Sequence, residues 1–255
     1  ANLGAKNHAV VLPDADREHA INAIAGAAFG AAGQRCMALS VAVFVGDSAE
    51  WIPEIVERAK KLRVDGGMED GADLGPMISP EALQRAESLI QSAVDEGAAM
   101  RLDGRGCKVA KYPKGNFLGP TVIDNAQPSM QCYQQEIFGP VLICLRADSL
   151  DDALALVNAN RYGNGASVFT RSGASARKFQ TEVEAGQVGI TVPIPVPLPM
   201  FSFTGNKGSF LGDTNFYGRA GVSFYTQLKT VTSHWRRQDA LVSEAGASVH
   251  MPTHS

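Results

Sequence analysis

The run Ala9-Val10-Val11-Leu12, the periodic segment from Ile21 to Phe29 and the run Leu39-Ser40-Val41-Ala42-Val43-Phe44-Val45 decide the fold of this chain. Ala9 to Leu12 is a short apolar run that reads as a strand, and Pro13 with Asp14 begins a helix. The apolar and small positions Ile21, Ile24, Ala25, Ala28 and Phe29 fall on one face of that helix. Leu39 to Val45 is a second strand.

The same rhythm continues outward. Ile52, Ile55, Val56, Ala59 and Leu62 mark a second helix. Ser79, followed by Pro80 at the first helical position, starts a third, with Leu83, Ala86, Ile90, Ala93 and Val94 on its buried side and Gly97 at its end. Met100 to Gly119 reads as a hairpin-like excursion. Val141 to Leu145 is a buried-type strand, and Ser149 with Asp152 resembles a capping box opening the next helix. Tyr162-Gly163-Asn164-Gly165 turns the chain into a strand from Ser167 to Thr170, followed by a helix over Ala174 to Val183 and a strand over Val188 to Val192. Strand alternating with helix implies a layered α/β fold with a mostly parallel sheet.

Prolines at every second residue from Pro193 to Pro199 forbid helix and central strand there and imply a stiff extended rail. The aromatic-rich segment beyond it, which contains Phe201, Phe203, Phe216 and Tyr217, reads as core or interface. Val222 to Thr232 alternates as a strand does, and the tail from Arg236 to Ser255 is polar.

At 255 residues, 45% hydrophobic and 19% charged, the composition is that of a globular chain with a full core. A net charge of −3 supplies no basic field for nucleic acid and no polybasic membrane anchor. Cys36, Cys107, Cys132 and Cys144 lack any Cys-x-x-Cys pair, and the histidines do not cluster, so neither a disulfide framework nor a metal site is expected.

Phe29-Gly30-Ala31-Ala32-Gly33-Gln34-Arg35-Cys36 is the stretch that carries chemistry. A thiol reacts as its thiolate, and an adjacent guanidinium with converging backbone N–H groups favours that form. Cys36 is therefore a candidate nucleophile; a cysteine before an apolar run also serves as a small packing residue.

Asn2-Leu3-Gly4-Ala5-Lys6, Gly33-Gln34-Arg35-Cys36, Glu136-Ile137-Phe138-Gly139-Pro140 and Phe203-Thr204-Gly205-Asn206-Lys207 stand in this order along the chain. In order and rough spacing they resemble the motifs of the aldehyde dehydrogenase superfamily, from Ala1 to about Trp235. The resemblance implies a catalytic domain over residues 1–221, an oligomerisation strand over 222–235 and a tail over 236–255. It makes Cys36 the nucleophile, with its own N–H at the oxyanion site, and gives Glu136 and Phe138 the nicotinamide ribose of NAD. The family's dinucleotide-binding half has no counterpart here: no strand leads into a glycine-rich turn and helix. On that basis the chain is expected to be the C-terminal half of a longer enzyme.

One departure from the family pattern is informative. Hydrolytic members carry a glutamate where Asn2 stands, and an amide cannot accept a proton near neutral pH. Water is then a poor acyl acceptor, whereas coenzyme A is reactive as its thiolate. The Asn-Leu-Gly-Ala-Lys-Asn-His opening resembles the CoA-acylating branch, and Phe29 to Met37, the proline rail and Phe201 to Gly205 resemble the methylmalonate-semialdehyde dehydrogenases within it. That implies oxidation of methylmalonate or malonate semialdehyde with NAD and coenzyme A to propionyl-CoA or acetyl-CoA, CO2 and NADH, in valine and pyrimidine catabolism. Arg35 would bind the substrate carboxylate and Phe203 would line the substrate site. The resemblance also implies a homotetramer in the mitochondrial matrix. Two other readings stand beside it: a thiol hydrolase using Cys36 with His8 as base, and a non-catalytic fragment acting as an oligomerisation partner.

Overall fold

The computed structural model describes residues 1–235. Strands β1 (Asn7–Val11), β2 (Leu39–Val45), β3 (Ala99–Leu102), β4 (Thr121–Asp124), β5 (Val141–Ala147), β7 (Gly165–Phe169) and β8 (Gln187–Ile190) form one sheet in the order β3-β4-β5-β2-β1-β7-β8. Every pairing in it is parallel except β3 with β4. Two short strands, β6 (Tyr162–Gly163) and β9 (Asn206–Lys207), pair separately. The expected mostly parallel α/β sheet is thus the fold.

Alternation along the strands sorts the core into two layers. Val10, Val41, Val43 and Ile143 face α3 (Pro80–Asp95), α5 (Leu150–Ala159) and α6 (Gly173–Glu182), where they meet Ile90, Leu154 and Phe179. Ala9, Val11, Ala42, Phe44 and Leu142 face α1 (Arg17–Phe29) and α2 (Ile52–Lys60), packing on Ile21, Ile24, Phe29 and Ile55. The helix starts follow their caps: Asp16 accepts from His19 N at 3.0 Å, Ser79 from Ala82 N at 3.2 Å and Ser149 from Asp152 N at 3.1 Å. The first helix therefore begins at Arg17 rather than at Pro13, since Asp14 is drawn to Thr170 Oγ1 at 2.8 Å across the end of the sheet. A short helix α4 (Gln131–Gln134) precedes β5.

The structure adds one strand and corrects a further expectation. Residues 121–124 form β4, a fully buried strand that its four-residue length conceals in the sequence. Val222 to Tyr225, expected in a late strand, are instead the end of α7 (Arg219–Tyr225). Gly218, at φ 67°, sits so close to the Met200 carbonyl that a Cβ would lie 2.8 Å from it, and beyond this seated turn the chain bonds locally. A strand exists through the neighbour that completes its ladder, and among the described residues nothing pairs with 226–235. The expected tail, 236–255, lies outside the described residues. No helix among the described residues is long and apolar enough to cross a membrane.

Candidate active site

Parallel strands joined by helical crossovers all start at the same edge of their sheet, and that edge gathers the motifs. Ala5-Lys6-Asn7 leads into β1, Cys36 to Ala38 into β2 and Glu136 to Pro140 into β5, and β1, β2 and β5 are adjacent. One cleft is lined by Lys6, Asn7, Arg35, Cys36, Glu136 and Phe138.

The loop bearing Cys36 is not a continuation of α1. After Phe29 the chain takes a left-handed turn at Ala31 (φ 52°), Ala32 (φ 51°) and Gly33 (φ 66°). Alanine in this region costs about 1–2 kcal/mol per residue, so two in succession hold stored strain directly before the thiol. The loop is fixed by Gln34, which donates to Pro76 O at 3.1 Å and accepts from Ile78 N at 2.8 Å. Gly33 packs on the other motif backbone to backbone: a Cβ there would lie 2.0 Å from Gly139 O. Only a glycine meets both the left-handed φ and that approach. Cys36 itself is exposed.

The Arg35 guanidinium bends back onto α1, donating through Nη2 to Gly26 O at 3.1 Å and Ala27 O at 2.9 Å, the last carbonyls of the helix. Its Nε is buried without a partner among the described residues. Burial pushes the Arg35 guanidinium down from its ordinary value, and the Cys36 charge pulls it partly back.

Glu136 is anchored rather than loose. Its Oε1 accepts from Ala5 N at 2.9 Å, and its carbonyl accepts from Arg85 Nη1 at 2.6 Å. Lys6, buried, donates to Cys132 O at 2.5 Å and Gln135 O at 2.6 Å, tying the opening motif to the residue before Glu136. Burial pushes the Lys6 ammonium down to about 7, against the opposing pull of Cys132 and Glu136. Phe138 is held at φ 59° with its ring 43% exposed, a conformation that a bulky residue adopts only under constraint.

Not every sequence candidate joins the cleft. Asn2 is exposed and bridges to Phe210. Phe203 is buried, stacked on Phe216 at 6.4 Å between ring centroids and tilted against Tyr217 at 6.3 Å. Burial first, and the Cys36 charge second, push the Tyr217 hydroxyl up, so this aromatic cluster stands within electrostatic reach of the thiol. His8 follows Asn7 in β1 and so points to the opposite face, where it bonds Tyr133 Oη at 3.0 Å. Burial pushes its imidazole down to about 3, and it is no base for Cys36. Among the described residues no group of three or more His, Cys, Asp or Glu side chains is placed to hold a metal.

Two residues that sequence reasoning passed over meet at the thiol's own peptide. Asn7 Nδ2 and Asn164 Nδ2 both donate to Cys36 O, at 3.0 and 2.9 Å. Asn164 reads in sequence only as part of a glycine-rich turn, and its side-chain role has no local signature.

The thiol on its turn and the anchored glutamate meet at one edge of a mostly parallel sheet, and the chain belongs to the aldehyde dehydrogenase family: residues 1–231 match the model of that family. Within it, the chain is 60% identical over 253 residues to the bovine (Bos taurus) mitochondrial methylmalonate-semialdehyde/malonate-semialdehyde dehydrogenase [acylating], and 59% identical to the human enzyme of the same name. Each match covers 99% of this chain and 47% of the relative, so the chain spans about half the length of the curated relatives it matches. Among solved structures, a putative methylmalonate-semialdehyde dehydrogenase from Sinorhizobium meliloti complexed with NAD superposes with a TM-score of 0.90 at 44% identity, over 92% of this chain and 48% of that one. The methylmalonate-semialdehyde dehydrogenase from Oceanimonas doudoroffii gives 0.90 at 45%, over 94% of this chain and 50% of that one.

Proposed function

We propose that this chain is the thiol-bearing half of an NAD-dependent, CoA-acylating dehydrogenase acting on malonate and methylmalonate semialdehydes. The observation that carries the reading is the convergence of Cys36, Glu136 and Phe138 on one cleft, supplied by the segments before two adjacent parallel strands, β2 and β5.

The Cys36 thiolate adds to the aldehyde carbon, and the oxyanion that forms is met by the Cys36 backbone N–H. The residues present fit NAD: Glu136 Oε1 is held by Ala5 N, Oε2 faces no protein donor among the described residues, and the Phe138 ring is open to a planar ligand. Bound there, NAD would supply a hydride acceptor. Oxidation leaves an acyl thioester on Cys36. Asn2 lies outside the cleft and its amide takes no proton near neutral pH, and the carboxylate that lines the cleft, Glu136, is given to NAD, so water finds no general base and coenzyme A takes the acyl group. The substrate's β-carboxylate leaves as CO2, its electron pair passing to the carbonyl as an enolate that takes a proton from solvent at its α-carbon to give the propionyl or acetyl group.

Arg35 is the cation nearest the thiol in sequence, and its Nη1 makes no hydrogen bond among the described residues, so a substrate carboxylate would approach from that side while Nη2 stays on α1. Phe203, with Phe216 and Tyr217, would form the apolar wall. The relatives' names carry a mitochondrial location, and the matrix, valine and pyrimidine catabolism and a homotetramer complete the reading. In the whole-length protein, NADH formation from malonate semialdehyde should depend on CoA and disappear in Cys36→Ala. Equal turnover without CoA, or full activity in that variant, would overturn the assignment.

A further inference from the structure

The two amides beneath Cys36 do more than fill the core. Asn7 is 3% exposed and Asn164 5%. The orientation of Asn7 is fixed from both ends: Nδ2 donates to Cys36 O and to Ala38 O at 2.8 Å, while Oδ1 accepts from Gly165 N at 3.0 Å and from Asn164 Nδ2 at 3.2 Å. A flipped amide would set an oxygen against two carbonyls, so the assignment is forced. Asn164 in turn donates to Cys36 O and to the Met37 thioether at 3.0 Å. Met37 is buried, with its methyl under Gly165.

The carbonyl of the exposed cysteine is therefore gripped at once from β1 and from the residue that leads into β7, although Cys36 itself precedes β2. An ordinary buried carbonyl is satisfied by one donor, and this one has two side-chain donors converging on it. The peptide they hold links Cys36 to Met37. Holding it restrains ψ at the Cys36 Cα, and with that torsion the direction of the Cα–Cβ bond that carries the thiol and of the Cys36 N–H. The left-handed turn on the N-terminal side makes such a restraint necessary, because the strain at Ala31 and Ala32 would be relieved by letting the loop rotate.

We infer that Asn164, acting with Asn7 through the Cys36 carbonyl, is a positioning residue that keeps the nucleophile turned toward the cleft. The inference rests on Cys36 being the nucleophile and adds a constraint which that reading does not itself require. Reactivity then scales with the fraction of molecules in which the thiol is presented.

The test uses the chain's own four thiols as internal reporters. Iodoacetamide labelling at neutral pH, followed by peptide mass spectrometry, gives a rate for each. In the parent, Cys36 should be labelled first. Asn164→Leu, which keeps the number of side-chain heavy atoms and the branching while deleting the donors, should slow Cys36 about 3- to 10-fold, the value of one or two net hydrogen bonds. Cys132 and Cys144, both buried, should stay protected, and the partly exposed Cys107 should keep its parental rate. Asn164→Ala serves as a second variant free of branching. A Cys36 rate within twofold of the parent in both variants, with the buried thiols protected, would overturn the inference. So would opening of Cys132 or Cys144 in both, which would make Asn164 a support of the fold at large. A parent in which Cys36 is not labelled first would instead refute the nucleophile assignment, a distinguishable failure.

Discussion

Gly33→Ala tests the contact on which the site is assembled. At φ 66° an alanine pays the left-handed cost of about 1–2 kcal/mol. Its Cβ would stand 2.0 Å from Gly139 O, 2.4 Å from Gly139 C and 2.9 Å from Pro140 N, where 3.0 Å is the nearest that real Cβ atoms come. The two motifs would have to part by about 1 Å, and overpacking of this kind costs about 1–3 kcal/mol. Reduced freedom of the unfolded chain returns about 0.4–1 kcal/mol. The net expectation is a loss of about 3 kcal/mol, or a Tm lower by about 6–12 °C for a chain of this size. Gly26→Ala is the control: Gly26 is exposed inside α1, and a Cβ added there would meet nothing within 4 Å, so the substitution should stabilise by about 0.5–1 kcal/mol. Urea and thermal unfolding of the three proteins decide the matter. A Gly33→Ala protein within about 1 kcal/mol of the parent, no more than a typical surface or mild core change, would show that the approach of the two loops is not a tight one.

Burial pushes the Cys107 thiol up, Cys132 to about 11 and Cys144 further still, so limiting iodoacetamide at neutral pH should label Cys36 before all three; equal labelling of the native chain would remove it as the nucleophile. His8 sits at about 3 when folded and near 6.5 when unfolded, so between those values the unfolded chain binds the extra proton and stability falls as pH drops, by about 1.4 kcal/mol per unit at most. His8→Gln should flatten that part of the profile, and urea midpoints at about pH 7 and about pH 5 that change equally in both proteins would contradict the burial argument. Asn2→Glu in the whole-length protein should raise thioester hydrolysis in the absence of CoA, by less than the usual factor of about 10² because residue 2 lies outside the cleft lined by Cys36. It should also raise KM through repulsion of the substrate carboxylate, and unchanged CoA-independent turnover would refute the role given to Asn2.

Much of this was legible in the chain. Leu39 to Val45 and the Ser79 and Ser149 caps carry local signals that the structure keeps. The meeting of Cys36 with Glu136 was legible too, because motifs that immediately precede parallel strands are bound to share an edge. What stayed hidden is non-local. Thr121 to Asp124 is too short to show a period, and its place between β3 and β5 makes it a strand. The turn at Ala31 and Ala32 uses residues with no preference for it, and tertiary contacts impose it. Asn164 gains its role from Cys36, 128 positions away. Val222 to Tyr225 misled because alternation describes a face and not a partner.

The arrangement at the strand starts has a consequence for how such a site changes over time. Arg35 and Cys36 share one short segment ahead of β2, Glu136 and Phe138 share another ahead of β5, and most of the sheet behind is built from other residues. On the proposed reading, a substitution near Arg35 would change the substrate without disturbing Glu136. The exceptions are the places where segments touch, at Gly33 with Gly139, at Ala5 with Glu136, at Lys6 with Gln135 and at Asn7 with Asn164. Those are the positions where innovation in one segment is vetoed by another.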